Sequence, residues 1–431
     1  MDSSRAQPAR ATHAALLVTL LSTGRAASTL IIPRAITPSP GPSATRVLGG
    51  PTLVLLAAAG CFMISFQTLL PVVPVLLERS GPHGAAGAAT AALFIGTVAG
   101  ELMTPWVMSL WSPRRLLIGG ELLIAVPSLV YLFPDAPAAS MLAAAVIRGF
   151  GTGVAIVVCI ALLAELAPSN RRGRSIGYFG LATGIPSIVF PSIGVTLLAT
   201  GHGGVAAVIA FISGLGAAFL ALRLPSRSVA ENVVATNMLA EIRRPRLLAM
   251  FVGFALVSCT FGGVITYTPV ALPSTGVGSA AVFLIVSGAA RAGGRWVSGV
   301  VGDHRPIRLV LTGGLALMAV GLIALAVRGG PIAVLIAALA YGIGYGAIQT
   351  GSYLALVARS GRSDWAVTSA LWNSAIDIGA SAGGIMVGLS AAVYGYATAV
   401  WVMPIVLLMS LPLLWSAGRS TASPSGAQAA V

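Results

Sequence analysis

Apolar runs of about twenty residues recur along this chain from residue 52 to residue 416 with scarcely a break. Each is long enough to cross a hydrocarbon core of roughly 30 Å as an α-helix. Inside lipid the backbone has no water to bond, so only helices and closed barrels can span it. Barrel strands alternate apolar and polar residues; these runs are continuous, and the helix is the remaining choice. Only 8% of the residues are charged and 57% are hydrophobic, whereas a soluble domain carries roughly 25% charged residues. A water-facing globule is excluded.

The runs lie at 52–76, 86–108, 115–133, 141–165, 175–198 and 204–224, then 246–272, 278–301, 307–327, 331–357, 365–390 and 396–416. A polar stretch containing Glu231, Glu241, Arg243 and Arg244 parts two sets of six. The expected organisation is a flexible N-terminal tail (1–50), an N-terminal six-helix bundle (51–224), a linker (225–245), a C-terminal six-helix bundle (246–417) and a flexible C-terminal tail (418–431). The short apolar patch Ala14–Leu21 follows Arg10 as in a signal peptide. Cleavage there would leave the following residues outside, so a cytoplasmic tail or an over-extended start is the preferred reading.

The formal charge of +14 would ordinarily raise nucleic acid as a partner. Every basic residue is arginine, as in a GC-rich bacterial genome, and the arginines concentrate in loops. Fifteen lie in alternate loops, from Arg114 and Arg115 through Arg305, Arg308 and Arg359 to Arg419, whereas the opposite loops hold only Arg79 and Arg328. The positive-inside rule then places the linker and both termini in the cytoplasm of a bacterial inner membrane, and no nucleic-acid partner is expected. Cys61, Cys159 and Cys259 each sit inside an apolar run with no ligand spacing, so no metal, disulfide or cofactor is implied.

The two halves echo one another. Arg148-Gly-Phe-Gly-Thr-Gly153 recurs as Tyr341-Gly-Ile-Gly-Tyr-Gly346, 193 residues later. Pro74-Val-Leu matches Pro269-Val-Ala at an offset of 195, and Glu101–Leu116 matches Arg295–Val310 at 194. Near-constant offsets between halves of like orientation indicate parallel repeats about an axis along the membrane normal.

With these features the chain resembles the major facilitator superfamily over residues 52 to 416. Gly299-Val-Val-Gly-Asp303-His-Arg-Pro-Ile-Arg308 is similar to that family's G-x-x-x-D-x-x-G-R-R loop, with Pro306 where a glycine is expected. The first-half counterpart keeps Arg114 and Arg115 but has Ser109 in place of the usual aspartate. Arg148 followed by glycines looks like the family's fourth-span arginine motif, and Glu165 followed by Arg171 and Arg172 like the loop after it. The proton-antiporter signature of the fifth span is met in part, by Gly180, Gly184, Pro186, Pro191 and Gly194. The resemblance implies an all-α membrane protein with twelve transmembrane helices in two pseudo-symmetric six-helix bundles.

An ionised side chain at mid-membrane costs about 2.5–3.5 kcal/mol on insertion scales, so the few present need a reason. Asp377 lies near mid-depth in the eleventh run and Glu101 past the middle of the second. Either carries a proton during transport, or stabilises helix packing as a neutral or paired group. Arg148 binds an anionic substrate, couples to such a proton site (the role the resemblance implies), or hydrogen-bonds the carbonyls of neighbouring helices. Arg291 and Arg295 stand out only because Arg295 is the repeat mate of Glu101. Arg114, Arg115, Glu165, Asp303 and Arg308 at helix ends are candidate gating salt bridges, against the alternative of solvated topology charges. Gln67, Tyr267, Gln349, Trp372 and Asn373 are candidate cavity-lining residues.

The expected function is proton-coupled efflux of a small apolar or amphipathic organic compound, with protons, cargo and membrane lipid as partners of a monomer. A proton-coupled nutrient importer of the same fold is the alternative. A membrane-embedded sensor or enzyme is the rival from another class, although no metal cluster, triad or phosphate-cradling GxxxxGK[ST] loop supports catalysis.

Overall fold

The computed structural model describes residues 49–166, 172–226, 245–357 and 365–417. Among the described residues, twelve helices span the sequence-predicted runs. They are α1 (Gly50–Ser80), α2 (Ala85–Met108), α3 (Pro113–Leu132), α4 (Ala138–Leu166), α5 (Arg172–Ala199) and α6 (Gly203–Ala221). After the linker come α7 (Pro245–Ala271), α8 (Ala280–His304), α9 (Ile307–Val327), α10 (Pro331–Val357), α11 (Trp365–Tyr394) and α12 (Tyr396–Ser416). All but α8 contain a stretch long and apolar enough to cross a membrane by length and composition. Helix α8 is set apart by Arg291 and Arg295, which lie well inside it.

Local chemistry sets the ends. Helices α3, α7 and α10 begin on Pro113, Pro245 and Pro331, where the missing N–H would have had no helical acceptor. Ser279 caps α8 by accepting from the Val282 amide. Helix α1 is interrupted at Leu70–Pro71, where Pro71 has no N–H to continue the ladder. Gly395, at φ 74°, makes the turn from α11 into α12. Buried threonines and serines such as Thr68, Thr97, Thr104 and Ser128 return their hydroxyls to carbonyls one turn back, so they enter the apolar interior satisfied.

The internal repeat has a packing basis. In lipid, helices associate through close contact rather than by escaping water, which favours small residues at interfaces. A Cβ on Gly149 or Gly153 would strike the backbone of α2 at Leu93 and Thr97, and one on Gly151 would strike α3 at Gly120. A Cβ on Gly342 or Gly346 would strike α8 at Ser287 and Arg291, and one on Gly344 would strike α9 at Gly314. Each C-terminal contact lies 194 residues from its N-terminal counterpart on the struck helix. The glycines therefore wedge α4 between α2 and α3 just as they wedge α10 between α8 and α9.

The bundles meet along two seams, α2 against α11 and α5 against α8. Large apolar side chains such as Leu102, Phe133, Ile212 and Leu389 are exposed on the outer faces. Such a surface suits lipid and would aggregate in water.

Candidate functional site

The α2/α11 seam is closed by glycine contacts at the end of the molecule opposite the arginine-rich loops. There Gly84 and Gly87 lie against Gly388 and Gly384. Thr90 is hydrogen-bonded to Thr266 of α7 at 2.7 Å. Further along, Ser374 Oγ donates to Glu101 Oε2 at 3.2 Å. Glu101 and Asp377, from different bundles, approach one another within reach of a side-chain hydrogen bond. Two carboxyl groups hydrogen-bond to one another only when a proton lies between them, so this approach links the pair to proton occupancy. The structure thus brings together the two acids that stood out as lone charges in their runs.

A cavity of about 40 Å³ lies between the bundles, lined by α1, α5, α7, α8 and α10. It has room for about three or four waters, at roughly 10–15 Å³ each. On one wall Gln67 Nε2 donates to Ser187 Oγ at 3.1 Å. On the other, Arg291 projects toward the cavity with its guanidinium 5.7 Å from the Phe261 ring. Phe261, Tyr345 and Tyr341 form a ladder of near-parallel rings at centroid spacings of 5.5 and 5.9 Å. Tyr345 Oη lies beside Ser258 Oγ, but neither makes a well-aligned hydrogen bond among the described residues.

The other predicted lining residues lie elsewhere. Tyr267 is fully buried, its ring 6.4 Å from Tyr396. Trp372 stacks on Phe254 and donates to Ser352. Gln349 sits one turn beyond Tyr345, with its Oε1 buried and without a partner among the described residues. Asn373 is half-buried on α11 beside Ser374.

Arg148 is 1% exposed and points into its own bundle. Its Nη2 donates to the Ser65 carbonyl at 2.9 Å and its Nε to that of Ile124 at 3.3 Å. Its guanidinium also lies 5.8 Å from the centre of the Tyr131 ring, whose hydroxyl donates to the Met141 carbonyl. It makes no ion pair with Glu101 or Asp377. One turn from Ile124 lies Glu121, wholly buried in the N-terminal bundle with both oxygens unpartnered among the described residues. A carboxyl so placed is tolerable only in its neutral form. It carries the same sequence signal as Glu101, a lone acid in an apolar run.

Among the described residues the one ion pair lies at the end opposite the arginine-rich loops, between Glu78 Oε1 and His83 Nδ1 at 2.9 Å. Arg114, Arg115, Glu165 and Arg308 form none there; Arg308 instead lies 4.1 Å over the Trp415 ring. The Asp303 side chain lies outside the described set. The Glu78 cluster was not anticipated. Its carboxylate accepts from the Gly84 and Ala86 amides at the start of α2 and from Tyr396 Oη across the bundle boundary, the last at 2.8 Å.

Toward the arginine-rich face the α5/α8 seam parts. Ile188 still touches Gly288. Beyond it, Gly177, Gly180 and Gly184 have open space around them, and Ile176, Leu181 and Ile185 are exposed. Gly293 and Gly299 are likewise open on α8, beside exposed Trp296 and Val300. The cleft opens toward the arginine-rich face and is shut at the opposite one.

Two pseudo-symmetric six-helix bundles meeting over a one-sided central cleft define the class, a polytopic membrane transporter. The sequence model of the Major Facilitator Superfamily matches residues 55–364, and the chain belongs to that family. A curated relative, the gentisate transporter of Corynebacterium glutamicum, is 32% identical over 131 residues, which span 30% of this chain and only 29% of the relative. Among solved structures, the nucleoside transporter NupG superposes with a TM-score of 0.69 at 11% identity, covering 85% of this chain and 99% of that one. The xylose transporter XylE from E. coli, in a partially occluded inward-open conformation, gives 0.65 at 15% identity, covering 85% and 97%. These likenesses extend to the fold.

Proposed function

We propose that this transporter exports a small amphipathic organic compound across a bacterial inner membrane in exchange for protons, by alternating access, with both termini and the linker in the cytoplasm. The carrying observation is the close approach of the Glu101 and Asp377 carboxyl groups, which span the two bundles. Loss of a proton shared between them leaves two like charges across the seam. At ~4 Å and an effective dielectric constant of about 20 they repel by roughly 4 kcal/mol, enough to shift a two-state equilibrium several-hundred-fold. Proton occupancy and seam closure are thereby linked.

In this state the cleft faces the arginine-rich loops, which is the cytoplasmic side by charge. The absence of gating ion pairs there among the described residues fits a lock that forms only when that end closes. Arg114, Arg115, Glu165, Asp303 and Arg308 remain the candidates for it. Arg148 serves the N-terminal bundle by fixing α4 against α1 and α3.

The test is gradient-driven flux in proteoliposomes, with gentisate, the cargo named for the curated relative, tried first in a panel of aromatic compounds. Asp377→Asn should leave folding intact and abolish coupling to the proton gradient; undiminished coupling would refute the assignment. In cells, collapsing the gradient should raise retention of an exported cargo. A fall in accumulation would mark an importer instead.

A further inference from the structure

We propose that the central cavity binds the cargo as an aromatic monocarboxylate, with Arg291 holding the carboxylate and the Phe261–Tyr345–Tyr341 ladder receiving the ring. This rests on the transporter reading above and names its substrate class.

Arg291 lies about 16 Å into α8 from the Ala280 end, at the 1.5 Å rise of a helix, so its charge is near mid-membrane. Arginine does not escape by losing its proton. A cation at that depth needs an anion or a set of acceptors, and Arg291 has neither among the described residues: its contact is the face of Phe261. The nearest acids by topology, Glu101 and Asp377, are engaged with each other. Arg295, one turn along α8, adds a second positive charge on the same face. Two neighbouring cations with no protein counter-ion among the described residues are a site for an anion.

The repeat shows that packing does not require them. Residues 194 positions earlier on α2 are Thr97 and Glu101, and α2 packs on α4 through the same glycine contacts that join α8 to α10. An equivalent helix in an equivalent place does without arginine, so the charges serve what α8 faces.

What it faces is apolar and flat. Val264, Ile265 and Leu284 line the cavity beside the ladder. Phe94 meets Phe261 edge-on at 6.3 Å, holding the ladder's end. A planar ring stacks on such a ladder with offset geometry. Tyr345, 1% exposed, brings to the cavity wall a hydroxyl without a well-formed partner among the described residues. Gln67 and Ser187 offer amide and hydroxyl groups opposite, suited to a ring substituent. A polyphosphate or dense polyanion would find two cations in an oily slot, whereas a single carboxylate on an aromatic ring matches both. Because the closed cavity holds only a few waters, the ligand enters from the open cleft as α5 and α8 separate.

Binding to the purified full-length protein in detergent, measured by calorimetry, tests this without requiring transport. The probes are benzoate, 4-hydroxybenzoate, 1-naphthoate and indole-3-acetate, with benzamide and cyclohexanecarboxylate as the neutral and non-aromatic comparisons. At least one aromatic acid should bind more tightly than both comparisons. Arg291→Gln should weaken it roughly ten- to a hundredfold, the loss of one charge-assisted contact, and Arg291→Lys should weaken it less. Leu389→Ala, on the outer face and away from the cavity, should bind like the parent and so show that the bundle tolerates change. Benzamide binding as well as benzoate, undiminished binding in Arg291→Gln, or no binding by any of the four acids overturns the proposal. In those cases gradient-driven flux of neutral compounds would leave the transporter reading standing. Arg291-dependent binding without Asp377-dependent flux would instead support the anion site and sink proton coupling.

Discussion

Glu78 uses one carboxylate for two connections. It caps the start of α2 through the Gly84 and Ala86 amides, and it accepts from Tyr396 of the other bundle. His83, exposed and paired to the same carboxylate, packs edge-on against the Tyr396 ring at 5.3 Å. Tyr396→Phe removes the cross-bundle bond while leaving the cap. A hydrogen bond to a charged group contributes about 1.5–3 kcal/mol, so the state closed at this end should lose roughly ten- to a hundredfold in population relative to the other. Labelling of a Thr90→Cys probe, in a background without Cys61, Cys159 and Cys259, by an impermeant thiol reagent added at this face should quicken accordingly; an unchanged rate would remove the latch. None of this was visible in the sequence, because Glu78 lies at a helix end where an acid needs no explanation. Glu101 and Asp377 were legible since an acid within an apolar run does need one. Glu121 gave the same signal, but one-dimensional spacing does not say whether a side chain faces a cleft or its own bundle. Arg291 was visible only as a neighbour of Glu101's repeat mate, since nothing in the sequence places aromatic rings from α7 and α10 beside it.

At the level of helices, the glycine register explains why the repeat was readable. A Cβ on Gly149 would meet the Leu93 carbonyl, whereas one on Gly180 would meet nothing within 4 Å. Gly149→Ala should therefore force α4 from α2, with the penalty of about 1–3 kcal/mol that overpacking brings, and lower the melting temperature. Gly180→Ala should leave it unchanged; equal melting of both variants would show that the close approach does not hold the bundle together. Backbones this close leave no room for a side chain, so the glycine spacing by itself marks which helices pair. Span limits were less legible. Helix α1 resumes after its break at Leu70–Pro71 and runs past Pro74 to Ser80, and α11 runs to Tyr394. Hydropathy falls where a helix leaves lipid, but the backbone hydrogen bonds continue.

The molecule as a whole is asymmetric in charge although its fold is nearly two-fold. The positions that hold Glu101 on α2 hold Arg295 on α8, and Asp377 on α11 corresponds to Thr183 on α5. The α2/α11 seam thus carries the acids and the α5/α8 seam carries the arginines. Identical halves would place like functions on both seams; divergence has separated an acidic wall from a cationic one within the same frame. Under that division the bundles move as bodies, and fixing one pair of residues should stop both activities at once. The Thr90 and Thr266 hydroxyls lie 2.7 Å apart at the shut end, linking α2 to α7 across the bundles. A Thr90→Cys/Thr266→Cys protein without its native cysteines should therefore close a disulfide readily on oxidation, since the side-chain atoms need to draw in by less than ~1 Å to reach bonding distance. Oxidised protein should keep the cleft open to the arginine-rich face, bind cargo from that side and carry none across, with flux returning on reduction. Flux that persists with the crosslink formed would mean that the ends do not alternate, and that these helices pass cargo without parting.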